Sequence, residues 1–179
     1  MKRLLFYLAI FGWLSSVTVN ILSVQNVDVR QTISFIYLLY VGALIVISAV
    51  ILDQQNDQDY IAHRQSGILN RMNPVSQYKI LFKNTPVWIA IITMVCVVYA
   101  FINFIQFDFH HSGIVTINNG QYRLENRGEV IRILTEKEYH WYRAQQTKST
   151  SSICMVFYGV AAAKLFSYTR RNRADKVQL

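Results

Sequence analysis

Two cysteines are all that the 179 residues hold, Cys96 and Cys154, each inside an apolar run and with no CxxC spacing. That argues against a disulfide framework or a zinc site, and both read as small buried apolar residues. Catalytic signatures are missing as well: there is no Ser/His/Asp order, no glycine-rich phosphate loop and no H-E-x-x-H. Acidic residues are few, ten against eighteen Lys and Arg, for a net charge of +8. Such an excess raises nucleic acid as a partner. The basic residues do not gather on one face, however. Lys2 and Arg3 precede the first apolar run, and Arg170, Arg171, Arg173 and Lys176 follow the last. Those are the flanks of membrane anchors, and no soluble domain is left to carry a nucleic-acid surface.

What is abundant is apolar sequence, 53% of the chain. A bilayer core about 30 Å thick takes about 20 mostly apolar helical residues. Four runs meet that length: 4–24, 33–52, 87–107 and the shorter 152–168. The first lacks a small-x-small cleavage site and stays apolar too long for a signal peptide, so it is expected as a retained helix. The fourth contains Lys164, near enough to its end for the amine to snorkel to headgroups.

Lys and Arg counts set the expected orientation. The N-terminus, the 53–86 loop and the C-terminal tail carry two, four and four. Both termini are therefore expected in the cytoplasm, with 53–86 on their side and 108–150 across the membrane. In the 53–86 loop, Val75, Tyr78, Leu81 and Phe82 recur at helical spacing, with Lys79 and Lys83 elsewhere on the wheel. That predicts a short interfacial helix.

Inside the runs, acid is absent altogether and polar groups are sparse: Asn20, Asn103 and Gln106, each toward one end. An ion or proton path needs ionisable groups near the midplane, and a transporter of this kind would show a repeat; neither occurs. Gly12 with Ser16, and Gly159 with Ala163, are small pairs that let helices approach. They predict close crossings of the first and fourth runs.

The 108–150 loop is no plain connector. "GIVTIN", "QYRLEN" and "EVIRILT" alternate as strands, separated by the turns "NNG" and "NRG". Thr135 and Glu138 in "TEKE" form a capping box that opens a helix bearing Tyr139, Trp141 and Tyr142. The expected fold class is an integral membrane α-helical protein. Its four transmembrane helices carry an extracytoplasmic β-meander and a covering helix, which leads toward the fourth run through "QQTKSTSS".

The residues Gly120, Tyr122, Leu124, Gly128, Val130, Ile131, Arg132, Leu134, Thr135, Glu138 and Tyr139 compose G-x-Y-x-L-x-x-x-G-x-V-I-R-x-L-T-x-x-E-Y. This stretch, followed by "MVFYG", resembles a family of small bacterial four-helix inner-membrane proteins of no established activity. The resemblance covers about a third of the chain and implies a bacterial inner-membrane location. It supplies no mechanism. Where that family carries Arg-x-x-Ser-Gly before the last span, this chain has "TKSTSSI".

Two clusters bear on chemistry. Asp108, His110 and His111, with His140 further on, are potential metal ligands. Adjacent histidines on a helix point about 100° apart, and polar residues commonly mark a helix end, so these read as interface residues and no cofactor is expected. Glu129, Glu136 and Glu138 stand among Arg127, Arg132 and Lys137 and read as solvated surface. Tyr122, Arg123, Arg127, Arg132, Tyr139, Trp141, Tyr142 and Arg143 have the composition of a recognition surface. The leading expectation is a non-enzymatic membrane protein that binds or modulates another protein, as an immunity-type protein or an accessory subunit, alone or in an oligomer. The alternative is a membrane enzyme or metal-handling protein using the histidine cluster.

Overall fold

The computed structural model describes residues 2–33, 36–55, 58–65, 85–110, 113–118 and 120–177, together with positions 73, 79 and 82. Its elements are helices α1 (Lys2–Val24), α2 (Val29–Thr32), α3 (Ile36–Gln54), α4 (Gln58–Gln65) and α5 (Val87–His110). Strands β1 (Ile114–Asn118), β2 (Gln121–Asn126) and β3 (Glu129–Ile133) come next, and helix α6 (Glu136–Val177) ends the chain. Four helices are long and apolar enough to cross a bilayer: Lys2–Val24, Ile36–Gln54, Val87–Phe107 and Glu136–Phe166. The expected amphipathic helix of the 53–86 loop lies outside the described residues. The short α4 lies earlier in the same loop and is not among the expected helices.

α6 is the axis of the molecule. More than half of its apolar stretch is buried, against about a quarter for the other three long helices. α1, α5 and α3 each pack on it, and α1 makes the most extensive of these interfaces.

The inward stripes are made of small residues. α1 buries Ala9, Gly12, Ser16, Val19, Asn20 and Ser23, while Leu4, Tyr7, Phe11 and Leu14 stay exposed. α5 does the same with Ala90, Thr93, Cys96, Ala100 and Asn103 inside and Trp88, Ile91, Val95 and Phe101 outside. In water this distribution would be inverted, because burying the large side chains is what stabilises a core there. Among lipid tails that driving force vanishes and close backbone approach decides instead.

The expected crossing of the first and fourth runs is present. Tyr158 of α6 fills the space that a side chain on Gly12 would occupy and reaches Gly42 of α3. Its hydroxyl donates to the Leu39 carbonyl at 2.9 Å. Gly159 lies against the Trp13 indole. Cys96 and Cys154 are both buried thiols. Lys164, expected to snorkel outward, is instead buried at 4% exposure.

One expectation needs correction. The covering helix and the fourth run are a single 42-residue helix, about 63 Å long. The "QQTKSTSS" stretch looked like a connector because it is polar, yet it contains neither Gly nor Pro to end a helix. Its hydroxyls turn back onto their own helix: Thr147 donates to the Arg143 carbonyl and Thr150 to that of Gln146, both at 2.9 Å. Thr147, Ser149, Ser151 and Ser152 are buried. What reads as hydrophilic linker is the small, polar contact face of a helix.

Candidate functional site

The sheet is an antiparallel meander in the order β1-β2-β3. Asn118 pairs with Gln121, so only two residues close the first hairpin. Arg127 and Gly128 close the second with φ of 53° and 88°. Two consecutive positive φ values match the right-handed twist of the flanking strands, which is why a glycine stands there. Register places Val115, Leu124 and Arg132 on one face, and Ile114, Glu125 and Val130 on the other, with an irregularity between Leu124 and Glu125.

The first of these faces lies on the upper part of α6. Leu124 and Leu134 are buried, and the Tyr122 and Tyr139 rings meet at 4.8 Å between centroids. Arg132 pairs with Glu138 at 2.8 Å. The capping box is complete: Glu138 accepts from the Thr135 backbone N–H at 2.8 Å and from its hydroxyl at 2.9 Å. The Glu138 N–H donates to Thr135 Oγ1 in return, at 3.3 Å. The helix start and the sheet edge are thus fastened by the same glutamate.

The opposite face is uncovered among the described residues. Ile114, Val130 and Ile133 are 68%, 48% and 62% exposed, and β3 is exposed along its whole length. Arg123 donates to Gln121 Oε1 at 2.9 Å, and Arg127 is exposed in its turn.

Beside the sheet, the α1–α3 connection climbs to meet α6. Asn20 of α1 donates to the Lys148 carbonyl and to Ser151 Oγ, both at 3.0 Å. It accepts from the Tyr99 hydroxyl of α5 at 2.7 Å, so one side chain ties three helices. Gln145 bonds to Asn26 just beyond the end of α1. Residues 136–144 of α6 therefore extend about 13 Å past α1.

Asp28 anchors that extension. Its side chain is 3% exposed and lies 3.0 Å from His140 Nδ1 and 3.3 Å from Arg143 Nε, and it caps α2 by accepting from the Arg30 N–H at 3.2 Å. Arg143 also donates to the Tyr139 hydroxyl at 2.9 Å, with its guanidinium 5.5 Å from that ring's centroid. Glu136 stands 3.9 Å from His140 Nε2.

The candidate residues thus divide. Tyr122, Tyr139, Arg132 and Arg143 are engaged in packing and ion pairs that hold the sheet and the connection to α6. Arg123, Arg127 and Trp141 lie on the outside, with Tyr142 half-buried and edge-on to Trp141 at 5.1 Å. His140 is committed to Asp28. The side chains of Asp108, His110 and His111 fall outside the described residues, and no group of three metal-binding side chains occurs among those described.

Asp28 and Asn20 were the residues that the sequence concealed. The only signal was a lone acid followed by Arg30 in a short connection, and one amide near the end of an apolar run. Neither shows its partner, which lies more than 100 positions away. No family model, curated protein or solved structure matches the chain.

Proposed function

We propose that this is an integral membrane protein of a bacterial inner membrane, with both termini and the 53–86 loop in the cytoplasm and the sheet on the other side. It acts without catalysis, by binding or modulating another protein through the sheet-capped end of α6, as an immunity-type protein or an accessory subunit. The observation that carries this reading is the uncovered outer face of a sheet fastened to a long helix. Ile114, Val130, Ile131 and Ile133 stand exposed there beside Arg123 and Arg127. Apolar side chains left in the open on a fixed platform, next to arginines, are the composition of a recognition patch. A rigid mount also lowers the ordering cost of binding.

The test is affinity purification from native membranes, comparing the full chain with Ile131→Asp/Ile133→Asp. Both positions are exposed, so the fold should survive, and loss of a co-purifying protein is expected. An identical co-purifying set from both would refute the reading. Reporter fusions after residues 70 and 125 check the orientation; the same side for both would overturn it.

A further inference from the structure

The α1–α3 connection carries one more cation than its carboxylate can serve. Asp28 is the acid of this corner, and its oxygens are already engaged by His140, Arg143 and the Arg30 backbone N–H. The Arg30 guanidinium therefore has no carboxylate within ion-pair distance among the described residues. Its Nε–H is shielded from solvent yet meets no hydrogen-bond acceptor, and the same holds for the Tyr40 hydroxyl. The two groups stand beside one another, with the guanidinium close enough to donate to the Tyr40 oxygen, which leaves the hydroxyl's own hydrogen and the Arg30 Nε–H without an acceptor.

Both are donors turned into one space, and buried donors without an acceptor are costly enough to be rare. The acceptor that fits is an external oxyanion. Access exists, because Arg30 is only half-buried. Tyr37, whose ring meets Tyr40 edge-on at 6.2 Å, is 59% exposed. Arg143, which shares Asp28 with His140, lies within electrostatic reach of Tyr37.

The position narrows the chemistry. The connection joins the ends of two helices long enough to span a bilayer, so on the membrane reading proposed above Arg30 stands at the depth of headgroup phosphates. Guanidinium groups engage phosphate through a planar fork that ammonium groups lack. We propose that Arg30 and Tyr40, flanked by Arg143, bind a phosphate group at the membrane surface. The group belongs to a phospholipid headgroup or to free phosphate. This inference is independent of the sheet's partner, since the site lies on the α2–α3 side of α6.

The experiment uses the full chain in a non-ionic detergent and a phosphate-free buffer. Thermal unfolding is followed on adding phosphatidylglycerol, inorganic phosphate, or chloride at matched ionic strength. A ligand bound only by the folded state raises Tm. A rise of several degrees is expected with one or both phosphate sources, absent in Arg30→Gln, partial in Arg30→Lys, and retained in Arg123→Gln, a sheet arginine. A response to phosphatidylglycerol alone assigns the headgroup; a response to both assigns the phosphate group itself. No rise above chloride, or an undiminished rise in Arg30→Gln, overturns the proposal. Should Arg30→Gln fail to fold, native mass spectrometry of the unsubstituted chain decides. Phosphatidylglycerol or phosphate retained at energies that strip phosphatidylcholine supports the site, and equal stripping overturns it.

Discussion

The two halves of α6 are held by opposite chemistries. From about Thr147 to Leu165 the helix is gripped by small residues, back-bonded hydroxyls and one amide, Asn20, with Leu4, Tyr7, Phe11 and Leu14 of α1 turned outward. From Glu136 to Arg143 it is held by a buried carboxylate, a guanidinium, an imidazole and a tilted pair of tyrosine rings. The first kind of contact gains its strength from close backbone approach, as small-residue packing between helices does in lipid. The second gains it from charge pairing at the edge of water, where ions need not be carried far from solvent. One helix carries both kinds of contact, and the sheet packs on its charged end.

That contrast can be broken most severely at Asp28. Asp28→Ala leaves His140 and Arg143 without their carboxylate and should cost about 3 kcal/mol, read by denaturant or thermal unfolding in detergent. Faster hydrogen exchange is expected at 136–144 and not at 154–165. Uniform loosening of both halves would mean that they are not separately held.

Next comes Gly12→Leu, which forces the Tyr158 ring out of its slot against α1. Overpacking of this kind costs about 1–3 kcal/mol, and Tyr158→Ala in the same chain should recover part of it, as a double-mutant cycle would show. Additive losses would mean that the slot is not shared.

The Asn20 tie is smaller. Asn20→Ala should cost about 1 kcal/mol, the scale measured for hydrogen bonds between helices in lipid. The loss should be insensitive to salt, whereas the Asp28 contribution should weaken at high ionic strength because its partners remain a quarter exposed. Equal salt dependence at both sites would erase the distinction.

Smallest is Thr135→Ala, which removes one half of the capping box and should cost up to about 1 kcal/mol. The effect should appear as fraying of the first turn of α6 in hydrogen exchange.

Much of this was legible. Strand limits, the two glycine turns and the capping box follow from residues that act on their immediate neighbours. Gly120, Gly128 and the Thr135–Glu138 pair needed no partner from elsewhere. The apolar runs were equally plain, because length and composition alone set them. What stayed hidden was polarity serving a helix. Thr147, Ser149, Ser151 and Ser152 look like linker to any reading that equates hydroxyls with water. Only the presence of α1 alongside, and the return of the Thr147, Ser151 and Ser152 hydroxyls to their own helix, makes them interior. Asp28 was hidden for a related reason: its partners, His140 and Arg143, come from the far end of the chain, and nothing local marks it. The candidate surface residues divided on the same principle. Tyr139 and Arg143 were taken inward by that distant contact, while Arg127 stayed exposed in its turn and Arg123 bonds within its own strand.

The central claim is that α6 runs unbroken from the sheet into the bundle. It is tested most directly by electron spin distance measurement on the full chain in lipid nanodiscs. Nitroxides are placed at Lys137 and Ala162 in a Cys96→Ala/Cys154→Ala background. A continuous helix predicts one narrow distance of about 37 Å before allowance for the label arms. A broad or markedly shorter distribution would show a break at "QQTKSTSS" and contradict the account.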